Sequence, residues 1–234
     1  PHLHQLTMLQ AAHKGEHTLL IAPTGGGKTL AGFLPSMIEL ANASEAEQPL
    51  SLHTLYISPL KALAVDIHRN LETPIAELGL PILAESRTGD TPHSKRQRQR
   101  QKPPHILLTT PESLALLLSY EDADKLFSGL RYVIVDEIHA MAGNKRGDLL
   151  SLGLARLAQL APQSLRIGLS ATVAWPDELR AWLSPNADRK AVQLVEGING
   201  AEPDVRIIST ENEIPWSGHM AVHALPEVYD EIRK

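Results

Sequence analysis

The 234-residue sequence contains no cysteine, which excludes a disulfide framework, a zinc–cysteine site and a cysteine nucleophile. That absence suits a reducing compartment, and the cytoplasm is the expected location. Nowhere does an apolar run approach the roughly 18 to 20 residues of a bilayer-spanning helix, and the start, Pro1-His2-Leu3-His4, lacks the apolar stretch of a secretory signal. No membrane partner is expected. Positive charge is not in excess either: 22 lysines and arginines against 27 aspartates and glutamates leave a net charge of −5. A uniformly basic nucleic-acid binder is therefore excluded, and any such contact must come from a local surface. Internal repeats at the spacing of about 20 to 50 residues that marks a solenoid are also missing. The first residue is Pro1 and not methionine, as expected of a piece of something longer.

What is present is a globular composition, 43% hydrophobic and 21% charged, enough for one sizeable core. Short apolar runs alternate with helix-period segments, the pattern of an α/β fold with a mostly parallel sheet and helices on both faces. Strands are expected at Thr18 to Ala22, His53 to Ile57, Ile82 to Glu85, Ile106 to Thr109, Tyr132 to Val135 and Arg166 to Leu169. The first is followed by a segment that places Leu30, Phe33, Leu34, Met37 and Ile38 on one helix face. A helix from about Leu60 should stop before Pro74, since the residue preceding proline disfavours helical dihedrals. Pro176 suits the first position of a helix burying Leu179, Trp182 and Leu183. From about Asn186 the character changes to short β-like runs, Ala191 to Val195 and Val205 to Ile208, then loop chemistry around Pro215 and Gly218 and a last helix carrying Leu225, Val228, Tyr229 and Ile232. The expected division is a domain over 1–185 and a distinct tail over 186–234.

Between the first strand and its helix runs Ala22-Pro23-Thr24-Gly25-Gly26-Gly27-Lys28-Thr29. A glycine-rich turn in that place aims backbone N–H groups at a phosphate chain. Thr24, Gly25, Gly26 and Gly27 form the cradle, Lys28 would reach the β and γ phosphates, and the Thr29 hydroxyl would ligate Mg²⁺. Ala22 stands where the strict pattern has a glycine. ATP and Mg²⁺ are the expected cofactors. The strand Tyr132 to Val135 ends in Asp136-Glu137-Ile138-His139, at the edge where open α/β sheets hold ligands. In a phosphate-loop enzyme, Asp136 would hold Mg²⁺ through water and Glu137 would orient and deprotonate the attacking water. His139, beside the acid pair, is a candidate for coupling.

The loop ending Gly27-Lys28-Thr29, the Asp136-Glu137-Ile138-His139 box and Ser170-Ala171-Thr172 resemble motifs I, II and III of superfamily 2 helicases in order and spacing. Tyr56-Ile57-Ser58-Pro59-Leu60-Lys61-Ala62-Leu63, Arg87-Thr88-Gly89-Asp90-Thr91, Thr109-Thr110-Pro111-Glu112-Ser113-Leu114 and Lys145-Arg146-Gly147 resemble the large helicase-related (Lhr) group of DEXH-box helicases. Pro215-Trp216-Ser217-Gly218-His219 is similar to a segment that in this group precedes the second motor domain. The resemblance covers nearly the whole chain and implies a RecA-like first motor domain, ATP hydrolysis and movement on single-stranded DNA, 3′ to 5′, in repair.

It also implies roles by position. Gln5 would read the adenine edge, to which an amide offers both donor and acceptor. Ser170 and Thr172 would link nucleotide state to domain closure. Ser58 and Pro59, Thr88, Gly89 and Asp90, and Thr110, Pro111 and Glu112 would contact the nucleic-acid backbone, positioning a strand without reading its sequence. Thr110-Pro111-Glu112 is at the same time good helix-start chemistry. Lys145 and Arg146 are further candidate contacts, whereas Lys95 to Lys102, five bases without an acid, reads as a solvated helix face. Such a motor needs a second RecA-like domain as partner, with arginines reaching the γ phosphate. Nothing after Thr172 resembles the later helicase motifs, so weak or absent hydrolysis is expected of this piece. The competing readings are an ATP-dependent clamp or RNA-acting helicase that does not unwind DNA, and a phosphate-loop kinase or small-molecule ATPase, which the strand-tracking loops disfavour.

Overall fold

The computed structural model describes residues 2–23, 25–43, 52–171, 173–197 and 225–233. After helix α1 (Leu3–His13), strands and helices alternate: β1 (His17–Ile21), α2 (Lys28–Asn42), β2 (Thr54–Ile57), α3 (Lys61–Glu77), β3 (Ala84–Arg87) and α4 (His93–Gln101). The alternation continues with β4 (Ile106–Thr109), helices α5 (Pro111–Leu118) and α6 (Ala123–Phe127), β5 (Tyr132–Val135), α7 (Lys145–Leu160), β6 (Leu165–Ser170), α8 (Pro176–Leu183) and β7 (Val192–Glu196). The seven strands make one sheet in the order β3-β4-β2-β5-β6-β1-β7, every pair parallel. All strand C-termini therefore meet one edge, and the loops that follow them share it.

Alternation along the strands feeds two cores. Leu19, Leu55, Ile57, Leu107, Val133 and Val135 pack one face against α5, α6, α7 and α8. Leu20, Tyr56, Ile106, Leu108 and Ile134 pack the other against α1, α2 and α3. Two covered faces explain strands that are apolar throughout, each buried aliphatic side chain being worth about 1.5 to 3 kcal/mol. No helix among the described residues is long and apolar enough to cross a membrane.

Four expectations are corrected by this packing. Helix α3 runs through Pro74 to Glu77: proline removes one N–H, but the Pro74 carbonyl accepts from Leu78 N–H, and buried Leu71 and Ile75 hold the last turn to the core. Helix α2 buries Ala31, Phe33, Met37 and Leu40, while Leu30 and Ile38 are 45% and 40% exposed, so its inner face is rotated from the apolar stripe read from spacing. The strand read as Ile82 to Glu85 lies two residues later, at Ala84–Arg87. The β-like run at Ala191 to Val195, read as tail, is edge strand β7, paired along the whole length of β1.

By internal contacts the chain divides into 1–199 and 200–234. In the second unit, helix α9 (Leu225–Ile232) is present and leaves Leu225, Tyr229 and Ile232 exposed. The run Val205 to Ile208, the loop at Pro215 and Gly218, and the segment Pro215 to His219 lie outside the described residues.

At the sheet's opposite edge, a polar cluster ties α2 to β2 and β5. Glu39 receives the Tyr132 phenol at 2.8 Å and Arg131 at 3.3 Å, and lies 3.6 Å from His53. His53 first, with Tyr132 and Arg131, holds the Glu39 carboxyl down to about 2 against the opposing pull of burial. Its ordinary value is 4.5, so the cluster favours the folded state above that pH, and the advantage is lost as pH falls toward 2. Glu39→Gln is expected to lower the melting temperature at neutral pH and to flatten its decline between pH 4.5 and 2, measured by circular dichroism. Parallel profiles for the two proteins would contradict this. The side chain is 40% exposed, so the effect is modest.

Candidate nucleotide site and strand-end groove

Strand β1 ends at Ile21, and the loop that follows turns into α2 through Gly25 and Gly27, both with positive φ, 82° and 71°. Gly27 is the N-cap of α2. A Cβ there would lie 3.1 Å from Gln5 Nε2, so only glycine serves both the left-handed backbone and the close approach of α1. Helix α2 has no side-chain cap, and its first-turn N–H groups, lacking intrahelical acceptors, face the loop as an anion site. Lys28 is buried, with Nζ donating to the carbonyls of Ala22 at 2.8 Å and Pro23 at 3.2 Å. Thr29, half-buried, follows it on the first turn. Gln5, buried, accepts the His2 N–H at 3.0 Å and stands against the loop at the start of α1. Thr24 lies outside the described residues.

Across the same edge, β5 delivers Asp136 and Glu137. Asp136 is buried, with Oδ1 accepting the Glu137 N–H at 2.8 Å and Oδ2 accepting the Tyr56 hydroxyl at 2.5 Å. Burial pushes its carboxyl up, while the Tyr56 bond, the Glu137 N–H and the Lys28 charge pull it down. Glu137 takes a left-handed backbone, φ 48° and ψ 42°, which for a residue with a Cβ costs on the order of 1 kcal/mol or more. That turn brings its Oε2 to 3.3 Å from His139 Nε2. His139 Nδ1 in turn lies 2.9 Å from Ser170 Oγ. One consistent tautomer donates from Nε2 to Glu137 and accepts the serine proton at Nδ1. Ser170 ends β6, paired with Ile21 beside the start of the loop, so sheet order places it between loop and acid pair. Thr172 lies outside the described residues.

A third constellation uses the remaining strand ends. Pro59, Lys61, Gly89, Thr110, Glu112 and Arg146 line one open groove of about 640 Å³. Ser58, fully buried, bonds the backbone of Leu60. The Thr88 N–H donates to Thr91 Oγ1 at 2.9 Å, and Thr110 caps α5 with Pro111 in its first turn. Asp90 pairs with Lys61 at 3.0 Å, and Glu112 grips Arg146 at 2.6 and 3.1 Å, which holds the Glu112 carboxyl low. Gly147 is needed next to Arg146, because a Cβ there would run into the Met141 carbonyl. Lys145 is exposed at the start of α7.

The basic run is not simply a solvated face. Arg96 donates to the carbonyls of Gly89 and Thr91, Arg98 pairs with Glu85 at 2.6 Å, and Arg100 pairs with Asp122 at 2.8 Å and covers the Tyr120 ring. Acids on β3 and before α6 supply partners that a count of local charge misses. Arg96 thereby staples the loop that carries Thr88 to Thr91.

The family model for DEAD/DEAH box helicases matches residues 2–179. The chain belongs to that family. The ATP-dependent helicase Lhr-Core of Methanothermobacter thermautotrophicus is 49% identical over 171 residues, 69% of this chain and 20% of that protein. The Lhr-Core helicase of Methanocaldococcus jannaschii is 42% identical over 220 residues, 89% of this chain and 26% of that protein. Among solved structures, Mycobacterium smegmatis helicase Lhr bound to ssDNA and AMP-PNP superposes with a TM-score of 0.77 at 40% identity, over 99% of this chain and 30% of that one. The fold is thus the RecA-like helicase domain, and the chain spans about a fifth to a quarter of these curated relatives.

Two residues of this helicase domain stand in the constellations without a role read from sequence. Tyr56 was legible as motif but not as partner of Asp136, since the pairing needs β2 beside β5; the available signal was a phenol inside an aliphatic strand, which must find an acceptor. Lys61 likewise joins the groove only through Asp90 and Gly89.

Proposed function

We propose that this chain is the ATP-binding motor domain of an ATP-dependent helicase or translocase of the Lhr-like group, moving 3′ to 5′ on single-stranded DNA, in DNA repair in the cytoplasm. The observation that carries the reading is the convergence on one sheet edge of the Gly25–Lys28 loop, the Asp136-Glu137 pair and Ser170, beside the groove of Lys61 and Arg146. The M. smegmatis relative, solved with ssDNA and AMP-PNP, supports both ligands.

The residues suit the nucleotide. Gly27 takes a left-handed backbone close against Gln5, the Lys28 ammonium lies against carbonyls alone among its bonded partners, and its charge reaches the buried Asp136 carboxylate. Thr29 and, through water, Asp136 would hold Mg²⁺, which supplies positive charge where phosphate charge builds. Loop N–H groups and Lys28 bind the β and γ phosphates, and Gln5 reads adenine. Glu137 orients the attacking water and accepts its proton, while His139 carries the position of Glu137 to Ser170 and with Thr172 toward domain closure. Ser58, Pro59, Thr88, Gly89, Asp90, Thr110, Pro111 and Glu112 shape the strand path, to which Lys61 and Arg146 bring charge. The partner within the longer protein is a second RecA-like domain.

The deciding measurement is ATP turnover by the chain extended through a second motor domain, with no polynucleotide, single-stranded DNA or single-stranded RNA of equal length. Strong stimulation by DNA is expected. Stimulation by RNA alone would turn the reading to an RNA-acting helicase, and equal rates in all three would remove the strand-path assignment.

A further inference from the structure

Tyr56 sits near the end of β2, fully buried, its ring stacked on Phe33 at 5.2 Å between centroids. Its register partner is Ile134, so Asp136, two residues further on, lies on the same face of the sheet. The two donors that reach Asp136 take one oxygen each: the Tyr56 hydroxyl at Oδ2, 2.5 Å, and the Glu137 N–H at Oδ1, 2.8 Å. Rotation of the carboxylate would break both bonds at once. Packing alone asks for a ring here but not for a hydroxyl, since the register partners Leu108 and Ile134 and the stacked Phe33 are all apolar. A buried phenol brings a hydroxyl whose desolvation must be repaid by a hydrogen bond, and the acceptor it has is the acid pair's inner carboxylate.

We propose that Tyr56 is a positioning residue that fixes the plane of the Asp136 carboxylate toward the Mg²⁺–nucleotide complex. The inference rests on the reading of Asp136 as the group that holds the metal through water. With the phenol and the Glu137 N–H each engaging one oxygen, the remaining lone pairs keep a fixed direction, and a water held between carboxylate and ion meets the same geometry in every cycle.

The test is equilibrium binding of methylanthraniloyl-ATP to the 234-residue chain, titrated with Mg²⁺. Tyr56→Phe keeps the ring and removes one oxygen. It is expected to leave affinity in EDTA within about twofold and to raise the half-saturating Mg²⁺ concentration about tenfold, the lower end of what loss of a partner to a metal-holding group costs. In an Asp136→Ala background the same substitution should shift nothing further. An unchanged Mg²⁺ midpoint overturns the proposal, and so does an equal shift in the Asp136→Ala background, which would place the effect in packing. Tyr56→Met, flexible enough to fill the space, is the second variant should Tyr56→Phe fail to fold, with the same expectation. Failure of the unsubstituted chain to bind the analogue would instead overturn the nucleotide reading itself.

Discussion

Glu137→Gln, in the chain extended through a second motor domain, is expected to bind ATP about as tightly as the parent and to hydrolyse it about 10² to 10⁴ times more slowly, the usual worth of a positioned general base. The substitution keeps size and leaves an oxygen that can accept from His139 Nε2, now 3.3 Å from the carboxylate. It removes only the ability to take a proton. Asp136 is untouched, because its contact with Glu137 runs through the backbone N–H. Nucleotide affinity, assigned in the proposed reading to the loop N–H groups and Lys28, should therefore hold. The left-handed backbone at Glu137 sharpens the expectation: strain at a residue with a Cβ persists where the surroundings impose it, and here it swings the side chain away from the buried position of Asp136. Steady-state phosphate release and analogue binding measure the two halves. Turnover within a few-fold of the parent would remove Glu137 as the base.

Much of this was legible from order and residue type. Strands Ile106–Thr109 and Tyr132–Val135 stand as read, because apolar runs bounded by turn chemistry in a doubly covered sheet leave little choice of boundary. The loop from Gly25 to Thr29 and the pair Asp136-Glu137 could be placed on a common edge, since parallel strands all end there. What sequence withheld was lateral. That Ser170 stands between loop and acid pair follows from β6 lying between β5 and β1, and that Tyr56 meets Asp136 follows from β2 beside β5. Neither adjacency is written in local pattern. The same holds for α2, where apolar spacing put Leu30 and Ile38 on the inner face that Ala31, Phe33 and Met37 in fact turn to the sheet, and for Arg96, whose acceptors Gly89 and Thr91 belong to the preceding loop.

Extension of the chain through a second RecA-like domain is expected to raise ATP turnover about 10³- to 10⁵-fold over the 234-residue chain alone, the range that an arginine reaching the γ phosphate commands. The arginines whose bonds the fold shows are engaged elsewhere. Arg96 and Arg98 serve β3 and the loop after it, Arg100 holds Asp122, Arg131 holds Glu39, Arg146 holds Glu112, and Arg166 spans the Leu154 and Leu183 carbonyls. The cation bonded into the loop is Lys28. On the proposed reading Lys28 and Glu137 would bind and aim, while the charge that grows on the transferring phosphoryl group would still need a donor from the far side. Binding and turnover should thus separate: methylanthraniloyl-ATP affinity within about tenfold between short and extended chains, and turnover apart by at least about three orders of magnitude. Replacing the incoming arginine by alanine in the extended chain should return the rate to that of the short one. Brisk turnover by the 234-residue chain alone, stimulated by DNA, would mean that its own residues complete the site and that the division of labour between two domains has been misassigned.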